Sequence, residues 1–375
     1  MSTQSLFERA AAVLAAADET DATSETNKAD GTDGTFGTGA LGRPAASAPS
    51  LWRALRAADA LPSLDTDPAV LVDLVCEAGR RATPAPLAET LLVARPLLAA
   101  AQLPVPDGPL TVASGPLDVR FAHVDTGSRV GPLGAGGTDD AVRVSGTLSR
   151  VPWARGADAV VVLTEGPSSG PMLLLLDAGQ CRQVAGTNLA GEPRDELVLI
   201  DVAVPAERVR RVPAALVEEA RWRAGLARAA LIAGAARRCV ELTVAHTSSR
   251  VQFGRPLSHF QAVKQEEAKL VEEAALIGAA VGAATAALAE PGAAEFPAWI
   301  AAAQASASVA EIARIAHQLH GAIGFTELSP LRLATTRMWS WRDEDGGEHA
   351  WQRRIGRRVV AAGGGDRLWP LVTGS

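Results

Sequence analysis

Arg250-Val-Gln-Phe-Gly-Arg-Pro-Leu-Ser-His-Phe-Gln261 interrupts an Ala-rich, helix-patterned region that continues on both sides. Gly254 frees the backbone and Pro256 fixes it, so the chain turns here between two helices. Arg250 falls at a helix C-terminal end, where a cation is favoured. Its fixed fork of donors also suits a phosphate or pyrophosphate. Taken alone, an Arg in this position reads as a helix cap.

A second segment one helix pair downstream changes that reading. It is His317-Gln-Leu-His-Gly-Ala-Ile-Gly-Phe-Thr-Glu327. Together the two segments resemble the C-terminal domain of the acyl-CoA dehydrogenase family. There, R-x-x-F-G-x-x-[IL]-x-x-x-Q is followed by Q-x-x-G-G-x-G-[FY]. This chain reads RVQFGRPLSHFQ and then QLHGAIGF, with helical sequence between. The resemblance is good over residues 214–360 and loose elsewhere.

The 375 residues allow two or three domains. Hydrophobic residues make up 47% and Tyr is absent, which supports a mostly helical core with small residues at close contacts. The net charge of −6 argues against a nucleic-acid surface. Cys76, Cys181 and Cys239 lack metal-like spacing and read as buried thiols in a reducing compartment. No basic region followed by an apolar run opens the chain, so no signal peptide is expected. No apolar stretch reads as long and uncharged enough to span a membrane. The expected location is cytoplasmic.

Hydrophobic spacing divides the chain in three. Residues 1–105 read as an N-terminal helical domain, with helices over Leu6–Ala17, Leu51–Leu61, Pro68–Arg81 and Leu87–Ala101. Residues 18–50 are Thr-, Asp-, Gly- and Ser-rich and read as a flexible loop. Residues 106–213 carry short apolar runs at Leu117–Val124, Ala141–Val144, Ala159–Thr164, Met172–Leu176 and Leu197–Val204. No helix-length segments intervene, so a central antiparallel β domain is expected. Residues 214–375 read as a C-terminal four-helix bundle, with helices over Ala214–Ser249, Ala262–Ala289, Ala293–His320 and Glu348–Ala361. The order of mixed α and β parts, helical, then β, then helical, is acyl-CoA dehydrogenase-like.

The resemblance implies FAD, an acyl-CoA thioester substrate and an enoyl-CoA product. It also implies electron-transfer flavoprotein or a similar acceptor, and a dimer or tetramer, alone or with a paralogous subunit; the alternatives on the same fold are a non-catalytic subunit of a heteromeric dehydrogenase and a flavin oxidase or monooxygenase. A flavin takes the hydride, so the protein must supply position and a carboxylate base whose pKa burial raises towards working pH. The family's commonest base precedes a Gly about twenty residues past the G-x-G-F segment. Aligning Thr326-Glu327 with the family puts Glu344 there, and counting without a gap puts Asp345, which precedes Gly346. The residues alone read equally as an acidic turn before a helix. Some members carry the base on the first helix of this domain. The count here reaches Ala224 or Gly225, neither of which takes a proton.

By the same resemblance, Arg250 meets the FAD pyrophosphate of a neighbouring subunit, with Phe253 beside it and Gln261 on the nucleotide. Gln318, Leu319, His320, Gly321 and Ala322 match the Q-x-x-G-G segment, with Ala322 in place of the second Gly. Gly321 and Gly324 also read as helix terminators. The middle domain departs from the family: its T-E-P-x-A-G-S-D and W-I-[TS] stretches are absent. Gly131–Gly137 is Gly-rich but lacks a dinucleotide-binding context. Trp153, in a segment 146–158 that does resemble the family, reads as a core residue or as a neighbour of the flavin. His317 and His320 have ligand spacing but no third ligand, so no metal is expected. Arg353, Arg354, Arg357 and Arg358 read as a solvated face or a contact for CoA phosphates.

Overall fold

The computed structural model describes residues 3–26, 47–121, 141–166, 170–326 and 329–373. In chain order the helices are α1 (Thr3–Thr26), α2 (Ser47–Ala57), α3 (Pro68–Arg80), α4 (Arg95–Ala100), α5 (Ala214–Ser249), α6 (Gln261–Ala287), α7 (Glu295–His320), α8 (Leu331–Arg342), α9 (Gly347–Ala361) and α10 (Leu368–Thr373). The strands are β1 (Leu110–Ser114), β2 (Leu117–Phe121), β3 (Ala141–Pro152), β4 (Ala159–Gly166), β5 (Gly170–Asp177), β6 (Arg182–Val184), β7 (Arg194–Pro205) and β8 (Val209–Arg211), with β9 (Val251–Gln252) and β10 (Arg255–Pro256) in a small hairpin. The fold is mixed α and β in the expected order of parts.

The β unit holds residues 84–223 together with 38–65. Its two four-stranded sheets run β1-β4-β5-β8 and β2-β3-β7-β6. Their inner faces share one core of Val144, Leu148, Val160, Val162, Leu174, Leu176, Leu197 and Leu199. Pairing is antiparallel except that β1 runs parallel to β4, Leu110 facing Ala159. A parallel pair needs a crossover, and the excursion through β2 and β3 in the other sheet supplies it. Trp153 is buried in the β unit, 4% exposed, with a left-handed φ of 54°. Nearby, the buried Asp195 carboxylate accepts the backbone N–H groups of Arg155 and Gly186 and pairs with the Arg155 guanidinium. That network fixes the end of the 146–158 segment within the β unit.

The helical unit gathers α1, α3 and the chain from residue 224 onwards. Residues 66–83 therefore pack with the C-terminal bundle, and α5 continues from one unit into the other. Asp67 caps α3, its Oδ1 accepting from Ala69 N at 2.9 Å, and Pro68 takes the first helical position. α3 then crosses α5 at two glycines. A Cβ on Gly234 would lie 1.8 Å from Cys76 O, and one on Gly79 would lie 2.2 Å from Leu231 O. Only glycine permits so close a backbone approach.

Three sequence expectations need amendment. α1 runs through Thr26 and α2 begins at Ser47, so both ends of the expected 18–50 loop are helical. Residues 27–46, like Gly131–Gly137, lie outside the described residues. α8 was not expected: its Thr335, Thr336 and two Trp residues weaken the helical signal, and α8 forms by packing on α7. α6 contains an 18-residue window of mean hydropathy 1.5, long and apolar enough by length and composition to cross a membrane. Within this chain 22% of that window is buried. Its apolarity comes from Ala, Gly and Val, which let α6 lie against α7.

Candidate functional site

α5 ends at Ser249, and the Arg250 N–H donates to His246 O at 2.8 Å. The next residues fold into the β9–β10 hairpin, which the sequence reading took for a plain turn. Phe253 and Gly254 form its tip, with φ of 51° and 77°. Two left-handed residues are what a tight two-residue hairpin needs, and Phe is costly in the first of them. Phe253 is 90% exposed. The Arg255 guanidinium lies 4.2 Å from the Phe260 ring centroid and braces the hairpin base. Arg250 and Gln261 are both exposed.

α7 ends against this same place. Its last turn carries His317 and His320, and Gly321 terminates it with φ 64°. The expected terminator role of Gly321 is therefore real, and its Cα faces open space. Gly324 differs, since a Cβ there would lie 2.8 Å from His320 Cβ. The His320 ring stacks on His246 of α5, with centroids 4.6 Å apart and planes 19° off parallel. This stack joins the RVQFG and QLHGA segments. Gln318, Gly321 and Ala322 are exposed here and Leu319 is half-buried.

The tautomers follow from the partners. His320 Nδ1 lies 2.8 Å from Ala316 O, which only accepts, so Nδ1 donates. Thr335 Oγ1 donates to Leu331 O, so His317 Nε2 donates to Thr335 Oγ1 at 3.0 Å. His317 Nδ1 is buried with no hydrogen-bond partner among the described residues. Burial and His320 hold His317 below the ordinary imidazole range. Burial, His320 and Arg250 do the same to His246.

This end presents a guanidinium, two imidazoles and the amides of Gln261 and Gln318, beside backbone left open at Gly321. Such donors fit a pyrophosphate. Sequence reasoning missed His246. Its available signal was its place one helical turn before Arg250.

The candidate carboxylates lie elsewhere. Glu344 and Asp345 follow α8, and both face Arg228 of α5. Arg228 Nε is 2.9 Å from Glu344 Oε2 and 3.2 Å from Asp345 Oδ2. The Arg228 and Glu344 side chains are 10% and 9% exposed, and that of Asp345 is 33%. Asp345 itself has a φ of 54°, followed by 106° at Gly346 and 67° at Gly347. Arg250 lies twenty-two positions beyond Arg228, just past the end of α5, about 33 Å away at the rise of an α-helix. The structure therefore does not bring the carboxylates to the cationic end. At the other candidate base position, a Cβ on Gly225 would lie 2.8 Å from the Trp351 ring. That ring also packs on Ala302 and Ala303 and fills the space a longer side chain at 225 would need.

Among the described residues no three His, Cys, Asp or Glu side chains form a metal cluster. Arg353, Arg357 and Arg358 are exposed on α9, and Arg354 lies 5.7 Å from the Trp351 centroid.

Residues 219–360 match the family model described as acyl-CoA dehydrogenase, C-terminal domain. Acyl-CoA dehydrogenase IpdE2 of Mycolicibacterium smegmatis is 40% identical over 103 residues, 28% of this chain and 32% of that relative. The chain thus spans about a third of the length of that curated relative. A chain of the ChsE4-ChsE5 complex from Mycobacterium tuberculosis shares the fold at TM-score 0.75 and 23% identity, over 96% of this chain and 97% of that one. Butyryl-CoA dehydrogenase from Megasphaera elsdenii shares it at TM-score 0.65 and 18% identity, over 79% and 83%. Residues 219–360 thus match an acyl-CoA dehydrogenase C-terminal domain, and the chain as a whole shares the fold of these structures.

Proposed function

We propose that the chain serves FAD-dependent α,β-dehydrogenation of an acyl-CoA thioester as one subunit of a heteromeric enzyme, lending its Arg250 end to a partner's flavin site. The observation that carries this is the Arg228–Glu344 pair. The carboxylate that the resemblance nominates as base is buried against a guanidinium, which fixes its charge and position. A general base must instead reach a substrate proton and accept it. Trp351 closes the alternative position at Gly225. The Arg250 end is open and rich in donors, and it lies a helix length away from both. The complex named for the ChsE4-ChsE5 structure is a two-component assembly and supports a heteromeric reading by likeness of fold.

Bound FAD would supply the hydride acceptor. Of this chain's residues, Arg250 would meet the pyrophosphate, Gln261 and Gln318 would orient the nucleotide, and Phe253 would cover it from water. Purified alone, the chain should be colourless and unreactive with acyl-CoA. Co-purified with a paralogous subunit it should be yellow, and Arg250→Gln should lower the flavin content of that complex.

A second reading keeps the base in this chain, favoured by the one third of the Asp345 side chain that is open. Then the isolated chain binds FAD, acyl-CoA bleaches the flavin, and Glu344→Gln with Asp345→Asn abolishes the bleaching. That result would overturn the subunit reading.

A further inference from the structure

We propose that His246 and His320, with Arg250, form a proton-coupled phosphate clamp, in which the stacked imidazoles take up one proton from solvent as a nucleotide pyrophosphate docks. The inference rests on the reading that this end meets FAD, and it names the residues that regulate that contact.

The argument starts from the helix ends. The C-termini of α5 and α7 meet here, and each carries a negative partial charge. A pyrophosphate placed against two such ends needs more positive charge than one guanidinium supplies. The stack provides a place for it. His320 Nδ1 is committed to Ala316 O, so its Nε2 is the position that gains a proton and becomes a second donor. One imidazolium stacks on a neutral ring without repulsion, whereas two would repel at a centroid spacing of 4.6 Å.

The surroundings leave these rings available. The described charged groups acting on His246 are His320 and Arg250, both of which disfavour a proton until an anion arrives. His317, on the same helix as His320, is occupied by Thr335 and by a stack on Phe325 at 4.4 Å. The Glu267 carboxylate of α6 is taken up by the Thr247 hydroxyl. Anion binding then supplies what the empty site lacks, a counter-charge for the imidazolium.

The test uses the chain labelled at its imidazole Cε1 carbons, in complex with its paralogous subunit, stripped of flavin and titrated with FAD, whose diester pyrophosphate keeps constant charge from pH 5.5 to 8.5. With FAD, the half-titration point of the pair should rise by about one pH unit, a tenfold change in proton affinity. FAD affinity should accordingly rise severalfold from pH 8 to pH 6, towards a limit of about tenfold at lower pH. The double variant His246→Phe, His320→Phe keeps the stack and should bind FAD with a flat pH profile. If FAD binding depends on Arg250 but the double variant keeps the wild-type pH slope, the clamp is overturned and the cofactor reading stands. If millimolar FAD moves no imidazole resonance in an Arg250-dependent way, both are overturned.

Discussion

Arg228 and Glu344 meet at 2.9 Å with their side chains 10% and 9% exposed, tying the middle of α5 to the turn between α8 and α9. The pair holds a turn in which Asp345, Gly346 and Gly347 are all left-handed. Left-handed backbone at a non-glycine residue persists only when its surroundings enforce it.

Arg228→Met should leave Glu344 buried without its guanidinium and destabilise the chain by about 3–5 kcal/mol. Adding Glu344→Gln should recover part of that loss, because only the Asp345 carboxylate, one third open to solvent, then keeps its charge. Urea unfolding of the two single variants and the double variant measures the coupling. Additive losses would show that the pair is not a unit.

The glycine crossing gives a second expectation. Gly234→Ala places a Cβ 1.8 Å from Cys76 O, so α3 and α5 must part. We expect a loss of about 1–3 kcal/mol. Gly278→Ala in α6 meets nothing within 4 Å and should instead gain about 0.5–1 kcal/mol through helix propensity. Thermal unfolding of both variants, side by side, separates packing from propensity.

Burial pushes the Cys76 and Cys239 thiols up to about 12, chiefly by desolvating the thiolate. At pH 8 the thiolate fraction of each is on the order of one in ten thousand. Cys239 is buried and Cys76, against expectation, only half-buried, so a disulfide reagent should modify both slowly in the native chain, Cys239 the more slowly, and label them fast on unfolding. Rapid native labelling at Cys239 would contradict its burial within α5.

Acid stability follows from the lowered His317 and His246. Both rings bind protons more weakly in the folded chain than in the unfolded one. The unfolded state therefore takes up more protons as pH falls. Stability is unaffected well above the unfolded value of about 6.5 and declines below it, on the way to the lower folded values. His317→Gln should flatten this acid slope. Denaturation midpoints at pH 5 and pH 7.5 check it.

Much of this was legible in one sequence. The 3.6-residue periodicity delimits α5 at Ala214–Ser249, and Pro68 behind Asp67 marks the start of α3. Alternation and turn residues locate β3, β4, β5 and β7. Local chemistry fixes such features, because they depend on neighbours three or four residues away. β1, β6 and β8 escaped because they are short and take their conformation from partners far along the chain, as β1 does from β4. The RVQFG hairpin escaped because Phe253 gives no warning that it adopts a left-handed conformation.

For the site, the sequence by itself determined which groups are present: Arg250, the QLHGA segment, and two carboxylates before Gly346. Only the tertiary structure decided what they face. It stacked His246 on His320, residues 74 positions apart, and so joined the two motifs. It also set Glu344 against Arg228, 116 positions away. A carboxylate in water, one poised as a base and one held by a buried guanidinium have the same one-letter code. The charge environment that separates them is a sum over neighbours, and folding chooses the neighbours.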